Sequence, residues 1–166
     1  MAGTDLGSDN EYVEDSDIGG AVAAFGDPDL LGISEEELDE QCDELFNQYP
    51  IRFEPRYGDQ MDELIASSIY DNNFNIPIIW IKGKLYLIGS QRITCVIKRN
   101  TILLRVGGGY EKFATFVQKN HRYYQRMLVI HMIKSGESLE WVVDSLKNGQ
   151  KIKNIHIQEI QKRQYE

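Results

Sequence analysis

Ten cations fall between residues 76 and 126: Lys82, Lys84, Arg92, Lys98, Arg99, Arg105, Lys112, Lys119, Arg122 and Arg126. Glu111 is the one acid among them, so the segment carries a net charge of +9. Several of these cations alternate with apolar residues or stand at turn positions, which directs them to solvent. Solvated faces ordinarily mix both signs. A field of one sign repels itself and steers an anionic partner. The chemistry such residues can do is ionic recognition of a polyanion, and it needs no activated nucleophile.

Covalent chemistry finds little to work with. The three histidines are His121, His131 and His156, and His131 sits in the apolar run Leu-Val-Ile-His-Met-Ile. Neither a Gly-x-Ser-x-Gly elbow nor a His-Glu-x-x-His helix is present. Gly107-Gly108-Gly109 could cradle a phosphate, but a dinucleotide fingerprint needs its last glycine where Lys112 stands, and the terminal Gly-Lys-Ser/Thr of a P-loop is missing. The glycines read instead as a tight turn. Asp27-Pro-Asp29 begins a calcium-loop pattern that fails at Leu31 and Leu38, where ligands should stand. Cys42 and Cys95 fit no metal spacing and no disulfide framework, so both are expected reduced and buried. No enzyme, cofactor or metal is expected.

The charge of the whole 166-residue chain is −8, and that average conceals a division. Residues 1–50 hold fifteen acids and no lysine or arginine, whereas residues 51–166 hold eleven acids and all eighteen cations. An acidic arm thus precedes a basic domain. No apolar run reaches the roughly 18 residues of a membrane span. The N-terminus lacks the basic and apolar regions of a signal peptide. The expected compartment is the cytoplasm or nucleus, with no membrane partner.

The elements that must position the cations follow from periodicity. Residues 1–29, rich in Gly, Ala, Ser and Asp, read as largely disordered. A short acidic helix is expected over 33–47, with Ser34 and Glu37 as a capping box, and with Leu38, Cys42, Leu45, Phe46 and Tyr49 recurring at helical spacing before Pro50. A second is expected over 59–70, broken by Asp71-Asn72-Asn73. Residues 77–81, 85–88, 91–98 and 101–106 read as four strands joined by short turns, hence antiparallel. Helices are expected over 110–119, 122–134 and 138–146, with a final strand over 152–157. The fold class is α+β: a small antiparallel sheet packed with helices behind an acidic arm. The expected division is an arm over 1–50, a central domain over 51–128 and a helical extension over 129–166.

The stretch from Gly83 to Arg122 resembles the growth-arrest-specific-2-related (GAR) domain of spectraplakins and related cytoskeletal crosslinkers. The matching residues are Gly83, Tyr86, Leu104, Val106, Gly107, Gly108, Gly109, Tyr110, Phe113, Phe116, Lys119 and Asn120. The resemblance implies direct binding to microtubules through cations facing the acidic tubulin surface, with Arg92, Lys98, Arg99, Arg105, Lys119, Arg122 and Arg126 as the contact set. Gly107, Gly108, Gly109, Tyr110 and Phe116 would be the structural motif. Family members carry zinc-associated cysteines before the first strand and after the Lys-Asn pair. Here residues 69–74 contain none and Tyr123 takes the later position, so apolar packing is expected to replace zinc.

The expected function is that of a non-enzymatic microtubule-associated protein of the cytoplasm and cytoskeleton. The acidic arm would reach another cytoskeletal component, and the small size suits a fixed assembly such as a ciliary axoneme. Two alternatives stay open. One is a nucleic-acid-binding module with an autoinhibitory arm, although no nucleic-acid-recognition motif supports it. The other is an adaptor whose arm is the main recognition element.

Overall fold

The computed structural model describes residues 32–48 and 53–153. The expected disorder of 1–29, the stop at Pro50 and all but the first two residues of the expected strand at 152–157 lie outside them. Ile152 and Lys153 themselves have no regular structure. The elements are α1 (Glu35–Gln48), α2 (Gln60–Asn72), β1 (Ile78–Lys82), β2 (Leu85–Ile88), β3 (Gln91–Lys98), β4 (Thr101–Val106), β5 (Gly109–Lys112), α3 (Phe113–Ser135) and α4 (Leu139–Lys147). The α+β class and the antiparallel sheet are as expected.

The strands form one meander in the order β1-β2-β3-β4-β5, every neighbour antiparallel. Two-residue loops make this possible. Arg99 and Asn100 have φ of 54° and 60°, and Gly107 and Gly108 have 55° and 79°. Positive φ at both central residues is the turn whose twist matches paired strands. The triple glycine therefore does not end the sheet. Its first two residues reverse the chain, and Gly109 begins a fifth strand that the sequence reading had assigned to a helix.

Two further expectations are corrected. The helices expected over 110–119 and 122–134 are one continuous helix, α3, that starts only at Phe113. Its 23 residues span about 34 Å. Between them Asn120 bonds back to the Phe116 carbonyl at 2.9 Å, and neither Gly nor Pro interrupts the run. The other helices are capped: Ser34 accepts from the Glu37 amide as expected, and Asp59 accepts from Asp62 and Ser138 from Trp141. Asn73 closes α2 with φ of 54°.

Alternation sorts the sheet into two faces. Tyr86, Ile88, Ile93, Cys95, Ile102 and Leu104 are buried against Ile65 of α2 and against Phe113, Phe116, Val117 and Tyr124 of α3. The second half of α3 leaves the sheet. There Met127, Leu128, Val129 and Ile130 form another core with Leu38, Cys42 and Phe46 of α1 and Leu139 and Val142 of α4. Tyr123 packs partly against both cores.

Candidate functional site

The outward face of the sheet follows from register. Opposed residues share a face, so the pairs Lys98–Thr101, Val96–Leu103, Leu103–Lys112 and Arg105–Tyr110 stand together on the side away from the α2–α3 core. Lys98, Arg105 and Lys112 are exposed, and Tyr110 lies among them 59% exposed. Arg99 continues the patch into the β3–β4 turn. Lys82 and Lys84 flank the β1–β2 turn at that same end of the sheet. None of these six cations has a carboxylate within ion-pair distance among the described residues.

The remaining candidate cations are placed differently. Arg92 faces outward beside Leu87, but this end of the face is covered. Leu87 is fully buried, α4 lies against β2 and β3, and Arg92 Nη1 would sit 2.8 Å from a Cβ at Gly149. Lys119 pairs with Glu111 at 2.7 Å while staying largely exposed. Arg122 and Arg126 are engaged by α1. Arg122 meets Asp43 at 2.7 Å, and Arg126 forks onto both oxygens of Asp39 at 2.7 and 2.9 Å and reaches Glu35 at 3.0 Å.

The spacing explains this contact. Asp39 and Asp43 are four residues apart, as are Arg122 and Arg126, and antiparallel helices bring the two pairs into register. The Arg126 hydrogen bond holds the Asp39 carboxyl below the usual range, and the same bond raises Arg126. Such half-exposed pairs contribute at most about 1 kcal/mol each. The buried Leu38, Cys42 and Phe46 must do most of the holding. The sequence reading missed the contact, although the matched four-residue spacing of acids and cations was visible.

A second arrangement was also missed. Asp62, 1% exposed, accepts from the Arg56 backbone amide at 2.9 Å, from Arg56 Nε at 2.8 Å, from Arg56 Nη2 at 3.2 Å and from the Tyr86 hydroxyl. Burial raises the Asp62 carboxyl, but the bonds from Arg56 and Tyr86 outweigh it and leave it below the usual range. The Arg56 guanidinium also lies 3.9 Å from the Trp80 ring centroid. Tyr86 is the tyrosine of the Gly-x-x-Tyr pattern, and this gives its role: it ties β2 to the segment leading into α2.

Around the positions where cysteines are missing, aromatic rings pack. Phe74 meets Phe113 at 6.3 Å and His121 at 5.9 Å, and Tyr123 lies 5.5 Å from Tyr124. Among the described residues no group of three or more His, Cys, Asp or Glu could hold a metal. Two histidines, His121 and His131, lie among the described residues and both are at least half-buried. His121 Nε2 accepts the Asn75 amide at 2.8 Å, and burial lowers its pKa. Burial pushes His131 down to about 4. No described helix is long and apolar enough to cross a membrane.

The comparison with family models matches residues 58–123 to the Growth-Arrest-Specific Protein 2 Domain. Neither curated proteins nor solved structures give a match. The matched span opens at Gly58, just ahead of the Asp59 cap, and closes at Tyr123, where α3 passes from one core to the other. It contains the whole sheet, while α1 and α4 lie outside it. This family is a cytoskeleton-binding module associated with microtubules and is not an enzyme family. Residues 58–123, which hold the sheet, the glycine turn and the Tyr86 tie, are thus similar to the growth-arrest-specific-2 domain, the GAR module that the sequence resembles.

Proposed function

We propose that the chain is a non-enzymatic microtubule-associated protein that binds tubulin through the outward face of its sheet. The observation that carries this reading is the row of cations, Lys98, Arg99, Arg105 and Lys112, without an ion-pair partner among the described residues, around the exposed Tyr110. A fixed cationic face is complementary to the acidic tubulin surface, and Tyr110 adds apolar contact area where the charges are desolvated. Lys119 is held by Glu111 on the other face of β5 from Tyr110 and Lys112, and can exchange it for an external carboxylate. Of the remaining sequence candidates, Arg92 supports the covered end of the face. Arg122 and Arg126 are shared with α1, which reduces their pull on an external anion.

In this reading residues 1–31, together with the exposed acids of α1, reach a second cytoskeletal component. The setting in this reading is the cytoplasm and the cytoskeleton, with the ciliary axoneme as the assembly to test. Co-sedimentation with microtubules tests the proposal. Bound fraction should fall steeply with ionic strength and after proteolytic removal of the acidic tubulin tails. Binding indifferent to both treatments would rule the electrostatic face out.

A further inference from the structure

Between α1 and the second half of α3 runs an open groove of about 450 Å³. Its floor is Leu45, Val129, Met132 and Ile133, and Glu44 and Glu137 stand on its rim. Leu45, Met132 and Ile133 remain half-exposed, packed against the outside of the second core. Apolar side chains left on a floor with an acidic rim fit a segment that carries aliphatic residues next to cations.

We infer that the chain's own C-terminal segment, residues 154–166, occupies this groove. Three features select it. It offers Ile155, Ile157 and Ile160 within six residues and, after Gln161, the adjacent cations Lys162-Arg163, with Glu159 and Glu166 as its two acids. That order matches an apolar floor beside Glu44 and Glu137. The segment can also reach. The groove includes Gly136 and Glu137, two residues before α4 begins, and α4 is 9 residues or about 13 Å long. Thirteen residues beyond Lys153 span up to about 43 Å when extended. The other terminal segment has the wrong sign: residues 1–31 carry eight acids and no cation, and would be repelled by the rim. With the tail seated, α1 is held from its outer side as well as by Leu38, Cys42 and Phe46. This docking is independent of microtubule binding through the sheet.

Amide hydrogen exchange on the full-length chain tests the inference. In the wild type, the amides of residues 41–48 and 129–136 should be protected equally at two protein concentrations. The double variant Ile157→Asp/Ile160→Asp should speed their exchange at least about tenfold, as two isoleucines return to water. Glu44→Lys/Glu137→Lys should do the same more weakly, and adding Lys162→Glu/Arg163→Glu should restore protection. Unchanged exchange in the isoleucine variant overturns the inference, and so does a charge swap that fails to restore. Protection that rises with concentration assigns the groove to a second copy and also overturns it.

Discussion

Replacing Asp62 should destabilise the protein more than any exposed acid does. Its carboxylate is 1% exposed and accepts four hydrogen bonds, three from Arg56 and one from Tyr86. In Asp62→Ala the Arg56 guanidinium loses its main partner but keeps Asp59 at 3.2 Å, the Trp80 ring and access to water, being about a third exposed. The 3–5 kcal/mol typical of breaking a buried pair is therefore an upper range, and about 3 kcal/mol is the expected cost. That lowers the thermal midpoint by roughly 6–12 °C for a chain of this size. Tyr86→Phe removes one charge-assisted bond and should cost about 1.5–3 kcal/mol. The double variant should cost less than the sum, because both changes remove the same bond.

The pH dependence has a definite sign. The folded carboxyl lies below its unfolded value, so its stabilisation is complete above the unfolded pKa of about 4. It is lost as pH falls through the lower folded value. Urea unfolding followed by circular dichroism at pH 7 and pH 3 measures both effects. A loss below about 0.5 kcal/mol at pH 7, or one independent of pH, would refute the reasoning.

Three further outcomes follow from particular residues. Gly89→Ala should be among the most damaging substitutions, because its Cβ would lie 2.2 Å from the Tyr124 ring at a φ of +63°; a cost above about 2 kcal/mol is expected in urea unfolding. Arg99→Gly should stabilise the fold by about 0.5–1 kcal/mol, since Arg99 holds φ of 54° in the β3–β4 turn, while microtubule affinity falls in the same variant. Cys42 and Cys95 are fully buried and their thiols are pushed up to about 11 and about 12, mainly by burial. A thiol reagent at pH 8 should label neither in the native protein and both in urea.

Where a segment carries its own instructions, the sequence was readable. β2, β3 and β4 coincide with their expected ranges because each alternates and each is bounded by a turn. α1, α2 and α4 were legible from their apolar faces, and α1 also from its capping box. β5 was not. Tyr110-Glu111-Lys112 is too short to show a period, and Gly107-Gly108 reads equally as a strand stop or a hairpin. The break expected near Asn120-His121 came from a run of polar residues, Gln118 to Arg122, inside one long helix, which interrupts hydrophobicity without interrupting hydrogen bonds.

The site divides in the same way. That cations are present in excess is a matter of counting. Which of them are free depends on distant partners. Lys98, Arg105 and Lys112 became one patch through strand register, and Arg122 and Arg126 left it because α1 folds back some eighty residues to meet them. The Asp62 arrangement joins residues 56, 62 and 86 and shows in no local pattern.

The most direct measurement compares two charge-matched variants in microtubule co-sedimentation. Lys98→Glu/Arg105→Glu/Lys112→Glu reverses the outward face, and Lys147→Glu/Lys151→Glu/Lys153→Glu reverses three cations outside the matched domain. Each cation facing a carboxylate across water contributes about 1 kcal/mol. The first variant should therefore lose at least about tenfold in affinity, and the second should stay within about threefold of wild type. Equal losses in both would mean that net charge alone drives binding. No loss in the first would remove the outward face of the sheet from the account.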